Sequence, residues 1–191
     1  MRNEDLFKLL AGNTPLRLEL KETLDGMIKR EVYSKNQIIL SPGQISNRTW
    51  FIEKGAAMGY VYKDDKKVPY WFWNESDIVL NVHSFFKQAP SETYIELLEP
   101  SILLSISHEY VMQLVEKFPE TNGYIQSILE DYQKKSEQRI LALACSAEEH
   151  YLMLMKTTPA LFRKASVESI AAFLGISRKT LNRIRAKNLR N

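Results

Sequence analysis

Seven short runs rich in Val, Ile, Tyr, Phe and Trp, separated by turn signals, constrain the fold of this 191-residue sequence most strongly. Ser41-Pro42-Gly43 and Asp64-Asp65 are typical of these turn signals. The runs are Gln37–Leu40, Thr49–Glu53, Met58–Tyr62, Val68–Trp73, Asp77–Leu80, Thr93–Leu98 and Ile102–Ile106. Short strands at this spacing predict an antiparallel sandwich or barrel, and they argue against alternating β-α-β units.

The pattern changes to a helical one after the last run. Residues 107–117 predict a helix, and a longer helix of about 24 residues, roughly 36 Å, is predicted to begin at Pro119. Residues at alternating four- and three-residue steps form a heptad-like seam along this helix. They are Ile125, Leu129, Tyr132, Ser136, Arg139 and Leu143. Two of these positions are polar, so the seam is too weak for an isolated coiled coil. We predict a dimerisation helix braced by the β domain, and the alternative is a helix that packs only within its own chain.

The C-terminal segment predicts two short helices joined by a tight turn. Ser166 and Ser177 are suited to cap the two helices, and Gly175 can supply the positive φ of the turn. The predicted shared core consists of Ile170, Ala171, Leu174, Ile176, Leu181 and Ile184. This is the helix-turn-helix pattern, which indicates DNA binding. The alternative is an ordinary helical hairpin with a solvated charged face.

The charge distribution supports a nucleic-acid partner. Residues 161–191 contain eight Lys or Arg and one acid, a net charge of +7. The whole chain carries +3, so the other 160 residues carry −4. A basic segment on an acidic body is typical of a module that binds a polyanion.

The second helix of the predicted pair supplies the candidate DNA contacts. Arg178, Lys179, Asn182 and Arg183 are expected on its outer side, where arginine suits guanine and asparagine suits adenine. Four further residues are expected to contact phosphates. They are Ser177, Thr180, Arg185 and Lys187. The sequence thus predicts a recognition helix that reads double-stranded DNA in the major groove.

Four segments together resemble the CRP/FNR family of transcription regulators. They are Ser41–Gln44, Phe51–Gly55, Leu103–Ser107 with the following Gln113–Pro119, and Gly175–Ile184. The resemblance implies an α+β fold with an N-terminal antiparallel β-roll, a cupin-like double-stranded β-helix flanked by helices. It also implies a long dimerisation helix and a C-terminal helix-turn-helix of winged-helix type, with a short or absent wing. The implied boundaries are residues 1–118, 119–145 and 146–191.

The resemblance also implies function. A homodimer would bind a near-palindromic DNA site in the cytoplasm and would contact RNA polymerase. Arg178 and Arg183 match the family's two DNA-contacting arginines. Lys179 stands where many members have a glutamate that accepts a hydrogen bond from cytosine, and lysine cannot accept one. We therefore do not expect the family's best-known half-site.

In this family the N-terminal β-roll is the sensor domain. The sequence of that domain differs here from the family members that bind cyclic nucleotides. Those members hold the cyclic phosphate with a Gly-Glu pair and a later Arg-Ser or Arg-Thr. The matching stretch, Asp77–Tyr94, has no Gly and no Arg, and its only cation is Lys87. A buried phosphate needs a cationic partner, so cyclic AMP is not expected to bind.

The positions that correspond to the family's pocket favour an apolar or planar ligand over a phosphate. They are Tyr70, Trp71, Trp73, Asn81, Thr93 and Ser136. An aromatic run such as Tyr70–Trp73 is more often strand core than a ligand site. An unidentified small-molecule effector and a chain without any effector both remain open.

Composition excludes several other classes. A single cysteine, Cys145, and three histidines cannot form a Cys/His metal cage or an iron–sulfur site, so no metal or cofactor is expected. A lone His83 is more often a structural residue than a haem ligand. No run approaches the length of a membrane span, and the N-terminus is acidic.

Two rival functions are weaker. The first is a small-molecule-binding signalling protein whose basic segment binds nucleic acid without sequence preference. The second is an enzyme on a β-barrel scaffold, which we do not expect because no base–nucleophile or paired-carboxylate arrangement stands out.

Overall fold

The computed structural model of the chain describes residues 3–12 and 15–188. Its eight strands form two four-stranded antiparallel sheets, with orders β1-β8-β3-β6 and β2-β7-β4-β5. The strands are β1 Lys29–Tyr33, β2 Ile38–Leu40, β3 Arg48–Lys54, β4 Ala57–Lys63, β5 Lys66–Trp73, β6 Ile78–Val79, β7 Tyr94–Leu97 and β8 Ser101–Ser107. One apolar core, with Trp50, Ile52, Ile95 and Leu103 among its members, joins side chains from both sheets. The α+β class with antiparallel sheets is therefore confirmed.

Helices flank the sheets, and in the described chain beyond β8 they alternate only with short connections. They are α1 Glu4–Ala11, α2 Leu18–Met27, α3 Val82–Lys87, α4 His108–Lys117, α5 Thr121–Ala142, α6 Ala147–Thr157, α7 Leu161–Lys164, α8 Val167–Phe173 and α9 Arg178–Asn188. A capping box between Ser146 and Glu149 begins α6, and Ser166 caps α8. Among the described helices, none is both long and apolar enough to cross a membrane.

Four elements were not predicted from the sequence. Helices α1, α3 and α7 are short, and β1 is an edge strand whose residues are mostly exposed. Strand β1 begins with three charged residues in succession, so it lacks the apolar alternation that marks a strand in sequence. The apolar spacing of residues 16–28 predicts a helix that begins at Thr14-Pro15, whereas helix α2 begins at Leu18, and Thr14 lies outside the described residues.

The C-terminal helices pack against the sheet that contains β4 and β5. Leu161 of α7 is buried with Met58 and Tyr60 of β4. Phe173 of α8 meets Phe72 of β5 edge to face, with ring centroids 5.0 Å apart. Lys164 Nζ donates to the Gly55 carbonyl at 3.0 Å and lies 2.8 Å from Glu99. The sheet therefore fixes the position of α7 and α8.

Candidate nucleic-acid interface and effector pocket

Helices α8 and α9 share a compact apolar core across a tight turn. Ile170 and Leu181 are fully buried, and Tyr151 of α6 completes the cluster. Gly175 forms the turn with φ of +69°, the left-handed region that glycine adopts without strain. Ser177 Oγ accepts from Thr180 N at 3.1 Å and caps α9. Helices α8 and α9 are thus joined by a glycine turn that a serine cap follows.

The outer side of α9 is cationic and mostly unpaired. Lys179, Asn182 and Arg183 are exposed, and within residues 3–12 and 15–188 they have no hydrogen-bond or ion-pair partner. Arg178 makes an ion pair of 2.7 Å with Glu168 of α8, and both side chains are about two-thirds exposed. We call Arg178, Lys179, Asn182 and Arg183 the α9 face. Its first two turns present three cations and one amide to solvent.

The expected phosphate contacts are already engaged within the chain. Lys187 Nζ lies 2.8 Å from Glu148 of α6, and this contact lowers the pKa of Glu148. The Arg185 guanidinium lies 5.5 Å from the centroid of the Phe162 ring. The Ser177 and Thr180 hydroxyls are 2.9 Å apart. Unlike the unpaired residues of the α9 face, these four already have partners within the chain. To contact a phosphate, each would have to exchange or share its present partner.

Three of the predicted pocket residues meet in one hydrogen-bond network. Tyr70 Oη and Thr93 Oγ1 are 3.0 Å apart, and Asn81 Nδ2 donates to Thr93 Oγ1 at 3.3 Å. Asn81 Oδ1 accepts from Ser84 N and caps α3. The Tyr70 ring lies so close to Gly59 that a Cβ there would be 2.7 Å from it. Burial raises the pKa of Tyr70, so its hydroxyl is neutral and these polar groups satisfy one another.

The other three predicted pocket residues lie elsewhere. Trp71 stacks on Tyr132 with centroids 5.4 Å apart, while Trp73 is buried in the core between the sheets. Both indoles also line a cavity of about 260 Å³ beside α5. Ser136 is exposed on α5, so the structure does not bring it to the Tyr70 network. The tryptophans therefore act mainly as strand core, the alternative left open above.

The predicted seam of α5 faces its own chain along most of its length. Ile125 and Leu129 are half-buried and line an apolar cavity of about 120 Å³ against the first sheet and helices α1, α2 and α4. Tyr132 binds the β-roll through its hydroxyl, and the Arg139 guanidinium lies 3.8 Å above the Phe173 ring centroid. Leu143, by contrast, is 66% exposed, and Ser136 is exposed as well. Four of the six seam residues thus have partners within the chain.

Two residues that link the C-terminal helices to the second sheet and to α5 were not predicted from the sequence. Phe173 is the common partner of Phe72 and Arg139, and Lys164 bonds the loop before β4. Phe173 resembles any apolar residue of a short helix, and Lys164 is one lysine within a basic segment. Their partners are about 35 to 110 residues away in the chain, so no local pattern could reveal these contacts.

A comparison with known proteins identifies a family for part of the chain. Residues 30–118 match the family described as the cyclic nucleotide-binding domain. A sequence search of curated proteins finds no significant match.

Solved structures match over most of the chain. A protein from Eubacterium rectale assigned to the CRP/FNR family of transcriptional regulators is 16% identical, with coverage of 92% of this chain and 85% of that one, at a TM-score of 0.71. FixK2 from Bradyrhizobium japonicum is 14% identical, with coverage of 84% and 83% and a TM-score of 0.70. The c-di-GMP responsive global regulator CLP from Xanthomonas campestris is 16% identical, with coverage of 91% and 92% and a TM-score of 0.69.

Identities this low establish a likeness of fold. Residues 30–118 match the cyclic nucleotide-binding domain family, and the α+β fold of the chain, with its antiparallel sheets and helices, is like that of CRP/FNR-type proteins.

Proposed function

We propose that this protein is a sequence-specific DNA-binding transcription regulator that acts as a homodimer. The α9 face is the observation that carries the proposal. Its cations lie in the first turns of a helix that a buried core and a turn glycine hold in place. The first turns of a recognition helix are where base contacts are made in the major groove. A partner as strongly negative as DNA explains why these cations are left exposed and mostly unpaired.

The homodimer rests on the surface of α5 and its C-terminal extension. Ile140, Leu141 and Leu143 are between 66% and 70% exposed and adjoin one another in sequence. Large apolar side chains grouped in this way are typical of a surface that another protein covers. Two chains related by a two-fold axis would present two α9 helices to successive major grooves, about one helical turn apart. Contact with RNA polymerase follows from the family resemblance alone.

Cyclic AMP does not fit the proposed sensor. The N-terminus of α3 is capped by Asn81, whose remaining amide group donates to Ser91 and Thr93. No lysine or arginine belongs to this network, and the Tyr70 ring lies against Gly59. A phosphate bound there would lose its hydration without gaining a cationic partner. We propose that this domain keeps the fold of its family without that ligand.

Selection from a pool of random DNA duplexes tests the function. The purified protein is expected to enrich a near-palindromic site, equally with and without millimolar cyclic AMP, at one fixed salt concentration. Enrichment only with the nucleotide would overturn the proposal for the sensor but not that for α9. A domain that binds cyclic nucleotides with nonspecific nucleic-acid binding is the second candidate, because residues 30–118 match that family. In that case every sequence would bind alike, with affinity falling alike as salt is raised.

The dimer has its own test. Leu143→Glu is expected to shift the sedimentation coefficient from that of a dimer to that of a monomer, because it places a charge in the proposed apolar contact. The fold should persist, since an exposed side chain changes the unfolding free energy by about 0.5 kcal/mol or less. Leu18→Glu is the matched control, because Leu18 of α2 is 65% exposed. A dimer that survives Leu143→Glu and Ile140→Glu would exclude this surface.

A further inference from the structure

A cleft of about 600 Å³ lies between the second sheet and the C-terminal helices. Strand β5 forms one wall, α5 the second, and α6 with α8 the third. Four aromatic side chains line it, and its volume is in the range of small-molecule sites. These aromatic residues are Tyr70, Trp71, Phe72 and Phe173.

Arg139 is the charged group that the cleft leaves uncompensated. Its guanidinium stacks on Phe173 but makes no hydrogen bond or ion pair within residues 3–12 and 15–188, and its Nη1 is shielded from solvent. Burial lowers the pKa of Arg139 without neutralising it at ordinary pH. The other lining cation, Lys135, already bonds Asp77 at 3.0 Å and Asp131 at 2.8 Å. A half-buried guanidinium without an acceptor is a costly arrangement unless an anion completes it.

Asn74 supplies a second unsatisfied group. Its Oδ1 is buried, and no donor within the described part of the chain reaches it. His150 is also buried at the cleft. Burial and the charge of Arg139 lower the pKa of His150, so it does not add a further cation to the lining. The lining of the cleft therefore includes a guanidinium and an amide oxygen that lack partners within the described residues, together with flat apolar walls.

We propose that this cleft binds a small aromatic acid. The ring would lie among the aromatic side chains, the anionic group would accept from the Arg139 guanidinium, and a hydroxyl or amine would donate to Asn74 Oδ1. Because the walls belong to β5, α5, α6 and α8, the bound acid joins the sheet to the C-terminal helices. This site adjoins the Asn81 network beside α3, with which it shares Tyr70, and its occupancy does not depend on DNA binding.

Calorimetric titration of the full-length protein without DNA tests the site. The probes are 4-hydroxybenzoate and its neutral analogue 4-hydroxybenzamide. The acid is expected to bind at least about tenfold more tightly than the amide, a typical effect of a charge-assisted hydrogen bond. Arg139→Met should abolish this difference, and Arg139→Lys, which restores a cation, should recover part of it. Lys134→Met is the matched control, because Lys134 is an exposed cation of α5 outside the cleft.

Three results would overturn the proposal. They are no binding of the acid to the unmodified protein, equal binding of acid and amide, and a preference for the acid that survives in Arg139→Met. Circular dichroism of each variant shows whether its helix content is retained. If Arg139→Met unfolds, Asn74→Leu decides instead, because it should reduce the preference for 4-hydroxybenzoate over benzoate while keeping the cation. An unchanged preference in that variant would also contradict the site.

Discussion

Replacement of Arg183 by alanine is expected to weaken binding to the selected DNA site by about 1–3 kcal/mol, with the loss concentrated at one base pair. The Arg183 side chain is exposed and has no partner in the described chain, so its five donors are free for a bidentate contact with guanine. The same lack of partners means that the substitution removes no contact from the fold. Stability should therefore stay within about 0.5 kcal/mol of the unmodified protein.

Competition between the selected duplex and single-base variants of it measures the effect. The unmodified protein should discriminate at every position of the half-site, and Arg183→Ala should lose discrimination at one position only. Arg163→Ala is the matched control, since Arg163 is an exposed arginine of α7 away from the α9 face. Equal weakening on all duplexes, with a shallower dependence on salt, would identify Arg183 as a phosphate contact instead.

Arg178 is expected to behave differently from Arg183, although the family resemblance treats them alike. Arg178 forms an ion pair with Glu168 in the free protein, so a contact between Arg178 and DNA must replace that ion pair. Both side chains of this pair are well exposed, and exposed pairs contribute little to stability. Breaking this pair to contact DNA should therefore cost little.

Local signals made the C-terminal helices predictable. Ser146, Ser166 and Ser177 each begin a helix by accepting a backbone N–H bond, and Gly175 takes the one backbone conformation in which glycine is preferred. Such signals depend on residues within one turn of each other, so a single sequence contains them. Most strands could be predicted in the same way, because buried strands are rich in β-branched and aromatic residues.

Signals that depend on distant partners were not predictable. Apolar periodicity located the buried face of α5 but could not tell whether a second chain or the same chain covers it. Tyr132 is the clearest case, because its partners lie more than fifty residues earlier in the sequence. The same reason hid the cleft, whose unsatisfied atoms belong to Asn74 and Arg139. Only the packed structure shows that these two residues lack partners.

Replacement of Tyr132 by phenylalanine is expected to lower the free energy of unfolding by at least about 3 kcal/mol. The hydroxyl accepts from Trp73 Nε1 at 2.8 Å and from Leu80 N at 3.0 Å, and it donates to the Ile78 carbonyl. Without it, two buried donors and one acceptor lose their partner, and each unsatisfied group costs about 1–3 kcal/mol. The ring stays, so the stacking on Trp71 is kept and the loss is that of the hydrogen bonds.

Urea denaturation at one fixed protein concentration measures the change, and Tyr124→Phe is its control. Tyr124 is a half-buried tyrosine of the same helix whose hydroxyl has no partner within the described residues, so its loss should change stability by about 0.5 kcal/mol or less. If Tyr132→Phe were no more destabilising than Tyr124→Phe, the hydroxyl would not anchor α5 to the β-roll. If it instead promoted dissociation of the dimer without affecting stability, Tyr132 would belong to the contact between chains, as the sequence periodicity first suggested. The expected result, a loss of stability with the dimer intact, makes Tyr132 the residue through which the sheet holds its own long helix.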